Sequence, residues 1–170
     1  MSKTYFKLEG GRELERALGE LSKATAKAVV RRVLLDAAEP IRAQAEANAP
    51  VRSSGKKTFR LSKGGALLER RRGALKMHVG KGTRLSKNQA RLNRKLGKSE
   101  VEVYVGTRDR IGRLVEFGTQ GTRPQPFLRR AWLAEGGQRA VTRIGSGLGV
   151  EIDRAARRAA RRTARLAAKG

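Results

Sequence analysis

Apolar residues recur at helical spacing over the first third of the chain. Leu14, Ala17, Leu18 and Leu21 fall on one helical face, and the series resumes as Ala24, Ala28, Val30, Val33, Leu34, Ala37, Ala38, Ile41 and Ala45. The pattern predicts two helices, with a break marked by Ser22. Pro40 lies inside the second series and lacks the N–H of a backbone hydrogen bond. Because the spacing carries on through Ile41 and Ala45, a kink is expected there instead of a stop. The helix should end before Pro50. Ahead of these helices, Thr4, Phe6 and Leu8 alternate with Tyr5 and Lys7 in the period of a half-buried strand, which Gly10 and Gly11 terminate.

Beyond Pro50 the pattern weakens. Val51 to Gly65 is Ser, Gly and Lys with isolated Phe59 and Leu61, which predicts a loop or flexible arm. Leu75, Met77 and Val79 alternate with Lys76 and His78 and predict a strand ended by Gly80 and Gly82. Residues 83–98 are a basic excursion with few apolar anchors. Val101, Val103 and Val105 then alternate with Glu100, Glu102 and Tyr104, the cleanest strand pattern in the chain. Ile111 to Phe117 is the expected partner strand, across a turn at Thr107 to Arg110. Pro126 suits the first residue of a helix through Phe127, Leu128, Ala131, Trp132 and Leu133, interrupted by Gly136 and Gly137.

The last segment has an apolar stripe, Leu148, Ile152, Ala155, Ala156, Ala159 and Thr163, opposite an arginine edge of Arg154, Arg158, Arg161 and Arg165. Gly145, Gly147 and Gly149 are expected to loosen the start of this helix. Glu151 and Asp153 would then lie near its N-terminus and the arginines toward its end, as the helix dipole prefers. The elements predict an α+β fold: long N-terminal helices packed on a small antiparallel sheet, a basic flexible arm and a C-terminal amphipathic helix. Residues 1–135 would be the core domain, with the arm inserted at about 52–98, and 136–170 a C-terminal helical extension.

A chain of 170 residues holds one compact domain plus appendages. It has no cysteine, which removes disulfides, thiolate metal sites and thiol nucleophiles and suits a reducing compartment. No apolar run reaches the ~20 residues of a membrane span, and the N-terminal residues lack the apolar stretch of a signal peptide, so a soluble protein is expected. The formal charge of +25 is unevenly spread. Residues 9–49 balance seven acids with seven bases. Residues 52–98 carry sixteen bases, among them Arg70, Arg71, Arg72, Arg91, Arg94 and Lys95, against the single acid Glu69. Residues 154–169 add six arginines and a lysine without an acid. Two basic appendages thus flank a nearly neutral core.

Catalysis needs a nucleophile, a tuned acid or base, or a metal, converging in a pocket. No such set is legible, and the reading is a non-enzyme without catalytic, cofactor or metal sites. His78, the sole histidine, sits in strand alternation beside Lys76 and reads as an exposed strand residue. Gly80-Lys81-Gly82-Thr83 looks like part of a phosphate loop, but Leu75 stands where the first glycine belongs. The basic segments admit two readings. One is contact with nucleic-acid phosphates, sequence-independent and salt-sensitive; the other is a solvated face and an arm that pairs with an acidic neighbour. With Phe59 the only aromatic residue between 52 and 98, base stacking is unsupported and backbone contact is the form expected. The candidate contacts are Arg70, Arg71, Arg72, Arg91, Arg94 and Lys95 in the arm and Arg154, Arg158, Arg161 and Arg165 at the end.

Val115-Glu116-Phe117-Gly118-Thr119, followed by Arg123-Pro124-Gln125-Pro126-Phe127-Leu128-Arg129-Arg130-Ala131-Trp132, resembles the tail-completion, or neck, family of tail components in lambda-like tailed bacteriophages. The similarity extends to the N-terminal strand with Gly10-Gly11, to Pro50-Val51-Arg52 after the long helix, and to the basic run that leads into Val101 to Gly106. Gly112 and Arg113 depart from it where an aromatic residue is usual, as does Arg130 where a proline is. The resemblance implies a virion structural protein at the head-proximal end of the tail, assembled in the host cytoplasm. It would be a cyclic homo-oligomer, a hexamer by tail symmetry, that joins the tail to the filled head and surrounds the DNA channel. Head-closure, tail-terminator or tail-tube ring proteins would be its neighbours, with genomic DNA a backbone contact and no cofactor or membrane involved.

On this resemblance Val115, Glu116, Phe117, Gly118, Thr119, Pro124, Pro126, Phe127, Leu128 and Trp132 are structural or interface positions. Gly118 suits a positive φ after a strand. Phe127 and Trp132, five apart, do not share one helical face, so one can be core and the other interfacial; core placement of both is the ordinary alternative. Charge alone supports a competing reading, a free sequence-independent nucleic-acid-binding protein of nucleoid or ribosome-associated type. A nuclease would need an acid cluster that the sequence lacks.

Overall fold

The structure, a computed structural model of the chain, describes residues 11–19, 21, 23–52, 59–61, 64–95 and 100–168. The strand expected at Thr4 to Leu8, and Ser22 at the expected break, lie outside these residues. In chain order the elements are α1 (Gly11–Gly19), α2 (Lys23–Ala37), α3 (Glu39–Asn48), β1 (Phe59–Leu61), β2 (Leu67–Glu69), α4 (Ala74–Met77), β3 (Val79–Gly82), α5 (Lys87–Lys95), β4 (Tyr104–Thr107), α6 (Arg110–Phe117), α7 (Phe127–Glu135) and α8 (Gly137–Ala167). The fold is α+β, dominated by helices with small antiparallel sheets.

Two apolar clusters hold these elements together. In the first, the alanines of α3 let α7 approach closely: Ala45 and Ala131 are fully buried, with Ile41, Leu75, Val79, Phe127 and Ala140 around them. Burying a side chain the size of Phe127 contributes roughly 1.5–3 kcal/mol. The sheet of β3 and β4, paired from Val79↔Thr107 to Gly82↔Tyr104, lies against α3. In the second cluster Val29 and Val33 of α2 meet Leu148, Ile152 and Ala155 of α8, and Leu14, Ala17 and Leu18 of α1 cover the seam.

The turn at Pro40 joins the clusters. Helical backbone persists through Ala38, whose N–H reaches Leu34 O at 3.0 Å while Arg42 N–H reaches Ala38 O at 3.0 Å, and Pro40 falls in the first turn of α3, where its missing N–H costs least. The Lys81 ammonium donates to Leu35 O at 2.7 Å, next to that turn, and pairs with Glu39 at 2.8 Å. A cation at the C-terminal end of α2 also suits the helix dipole.

Several expectations are overturned. The alternation Leu75, Met77, Val79 is not one strand: α4 starts after Gly73, at φ 74°, and β3 begins only at Val79. Leu75 and Val79 are buried while Met77 is exposed, an i, i+4 relation that period two cannot produce. Ile111 to Phe117 is the helix α6, so the partner of β4 is β3. The Asp109 carboxylate accepts from Ile111 N–H at 3.1 Å, an N-cap that starts a helix where alternation suggested a strand. The stretch read as loop, Val51 to Gly65, contains β1, which pairs antiparallel with β2 just beyond it, and the basic excursion holds α5. Leu75 and Val79, within the segment expected as the arm, are buried in the first cluster. Gly145, Gly147 and Gly149 lie inside α8, which begins at Gly137, so Glu151 is not near a helix start. A Cβ at Gly147 would meet Val33 at 3.1 Å, so this glycine permits the close approach of α2 and α8.

Candidate functional site

The Val115 to Trp132 block folds into a corner between α6 and α7. Glu116 is 8% exposed, and its two carboxylate oxygens accept the N–H groups of Leu128 and Arg129, each at 2.9 Å. Those donors belong to the first turn of α7, where N–H groups lack intrahelical partners, and the carboxylate meets the positive end of the helix dipole. Val115 O accepts Gln125 N–H at 2.8 Å, and Thr119 and Thr122 exchange backbone hydrogen bonds across the turn. Gly118 has φ 76° and ψ 179°, and a Cβ there would stand 2.8 Å from Thr122 O, so only glycine fits. Pro126 caps α7 and the helix itself begins at Phe127, one residue later than expected. Pro124 packs against Gly118 across the turn. Phe127 is 1% exposed and Trp132 is 52% exposed, so the two part into core and surface.

The corner's outer side carries large apolar residues, with Arg110 and Arg113 exposed among them. Ile111, Leu114 and Phe117, spaced three apart along α6, are exposed, Phe117 by 75%, and Leu133 beside Trp132 on α7 is exposed by 74%. Reading α6 as a strand hid this face, because helical spacing is what gathers the three residues on one side.

The basic residues divide into engaged and exposed. Arg70 forms a two-pronged pair with Asp109 and is largely buried with it. Burial pushes the Asp109 carboxyl up, but the hydrogen bonds from Arg70 and Ile111 N–H outweigh it and hold the group below the ordinary carboxylate range. Far from lying in a strand, His78 caps α4 with its ring exposed and Nδ1 3.6 Å from Asp109. Arg71, Arg72 and Arg91 are exposed. Arg94 and Lys95 belong to α5, with their side chains outside the described set.

In α8, Glu151 is buried and pairs with Arg154 at 2.8 Å and with Arg32 of α2, while Arg158 lies 3.8 Å away. Hydrogen bonds from Arg154 and then Arg32 overcome burial and lower the Glu151 pKa. Arg161 and Arg165 are exposed, as is Arg157, which the four-residue edge left out. The expected edge therefore splits, with Arg154 and Arg158 turned toward Glu151.

An open groove of about 400 Å³ lies between α2 and α8, lined by Asp36, Arg143, Ser146 and Glu151 among others. Its Arg143 is paired with Glu135 and its Glu151 with arginines, which leaves no tuned acid–base pair. Among the described residues no cluster of His, Asp or Glu could hold a metal, and no helix is long and apolar enough to cross a membrane.

No curated protein and no solved structure matches the chain. Residues 12–118 match the family model described as "Bacteriophage HK97-gp10, putative tail-component". The match takes in α1 through α6 and ends at Gly118, inside the corner that Glu116 ties to α7. The chain belongs to the HK97-gp10-like family of bacteriophage tail components.

Proposed function

We propose that the protein is a non-catalytic subunit of a tail-completion or neck ring, which joins the tail to the DNA-filled head and surrounds the path of the genome. The observation that carries this reading is the set of exposed apolar residues on the outer side of the corner, Ile111, Leu114 and Phe117, on a chain that belongs to a tail-component family. Large apolar side chains gathered in the open on one helix, with Arg110 and Arg113 among them, suit a surface that a partner covers. A ring subunit covers such a face with a different face of the next copy, and rotation closes the set. Sixfold closure matches tail symmetry. The neighbours in this reading are head-closure, tail-terminator or tail-tube rings, and the site of action is the head-proximal end of the tail.

Mass photometry of the purified chain, alone and with its neck partners, is expected to give a cyclic oligomer, with Phe117→Ser and Leu114→Ser shifting it to monomer while the fold survives. Monomers in every mixture would sink the reading. The competing free nucleic-acid-binding reading rests on the charge of +25. It predicts duplex binding by a chain that never assembles.

A further inference from the structure

α8 stays helical to Ala167, yet its last buried residue is Ala155, and every described side chain from Ala156 onward is exposed. Body-facing positions Leu148, Glu151, Ile152 and Ala155 define one side of the helix. Arg157, Arg161 and Arg165 recur every four residues along an exposed row, which starts opposite that side at Arg157 and drifts toward its margin by Arg165. No carboxylate among the described residues pairs with any of the three, in contrast to Arg154 and Arg158, which turn toward Glu151. No acid follows Asp153 in the sequence.

We propose that the row Arg157, Arg161 and Arg165 is a contact for the phosphate backbone of double-stranded DNA. The choice of DNA among polyanions rests on the ring reading above, in which the subunit surrounds the genome. Two features of the row agree with it. From Arg157 to Arg165, eight steps of helix span about 12 Å at ~1.5 Å per residue, over which one strand presents about three or four phosphates at ~3.4 Å of axis each. The row's described neighbours along the helix are Asp153, Arg154, Arg158, Ala160, Ala164 and Ala168, a charged and small-residue surface with one acid at its start and none of the large apolar anchors on which a protein interface relies. The planar guanidinium matches a phosphate in two-pronged fashion, and the absence of aromatic residues from the row leaves no platform on which unpaired bases could stack.

The test is fluorescence anisotropy of the full chain on a labelled random-sequence duplex of about 30 base pairs, across a salt series. The variant R157Q/R161Q/R165Q should lower the slope of log affinity against log salt by about 2.7, that is ~0.9 per lost phosphate contact. R157K/R161K/R165K should keep the slope, and R71Q/R72Q/R91Q, which removes the same charge from exposed arm positions, should lower it less. Equal loss in the arm and α8 variants would overturn the proposal in favour of diffuse charge. So would displacement of the duplex by polyglutamate at equal charge, which would mark the row as a surface for acidic protein. Mass photometry on the same samples separates the two readings: the α8 variant should assemble like the parent. If the parent itself stays monomeric while the α8 slope still falls, the ring reading fails and the row stands.

Discussion

Glu116 sits where a carboxylate does what no other side chain can, accepting two N–H groups of α7 with two oxygens from a position on α6. Glu116→Gln keeps the shape but turns an amide N–H₂ toward one of those donors, so one backbone N–H near a buried site goes unpaired. The expected cost is about 1–3 kcal/mol in urea denaturation; a loss below a few tenths would mean that the cap is dispensable. Asp109 carries the acid-side prediction. Its folded pKa is depressed, so its stabilisation is complete above the ordinary value of ~3.9 and is lost as pH falls through the lower folded value. Glu39 behaves alike: hydrogen bonds from Arg42 and then Lys81 hold it at about 2. Thermal stability should therefore fall below about pH 4, and Asp109→Asn should flatten that fall. The motif residues could be singled out by sequence, but the task of Glu116 could not. A carboxylate's partner twelve residues away depends on a corner whose first limb reads as a strand.

The helices α3 and α7 were legible because burial follows their apolar spacing, whereas α2 was legible as a helix but not in its buried face, since Val29 is buried while Ala24 and Ala28 are exposed. β4 was legible in part, but its partner was not. Leu75, Met77 and Val79 satisfy alternation by coincidence, and Gly73 with its positive φ decides the matter for a helical turn. α6 failed for a like reason, since its buried side is made of Gly112 and Glu116, which no hydrophobic pattern counts as core. The arginine edge of α8 was legible as an edge but not as two rows, because Glu151 was placed at a helix start. Arg154→Gln removes one partner of a buried carboxylate and should cost about 1 kcal/mol, kept small by Arg32 and by the exposure of Arg154 itself. Arg161→Gln should be neutral within about 0.5 kcal/mol. Equal melting shifts for the two would contradict the division of the edge.

Charge and composition, properties of the molecule as a whole, marked a strongly basic chain without cysteine but could not say which cations were engaged inside the fold; Arg70, held by Asp109, was indistinguishable from Arg71 and Arg72 in sequence. At the same scale, α8 touches both apolar clusters, through Ala140 in the first and Leu148, Ile152 and Ala155 in the second. The family match ends at Gly118, before α7 and α8, yet Phe127 and Ala131 fill the centre of the first cluster and α8 closes the second. A chain cut after Gly118 would leave Ile41, Ala45, Val29 and Val33 facing water, and it is expected to show no sharp unfolding transition in circular dichroism. A sharp one would mean that the matched residues are self-sufficient. In the whole chain one continuous helix is shared by both clusters, so loss of either is expected to weaken the other. The consequence is cooperativity: melting one end of the molecule loosens the other.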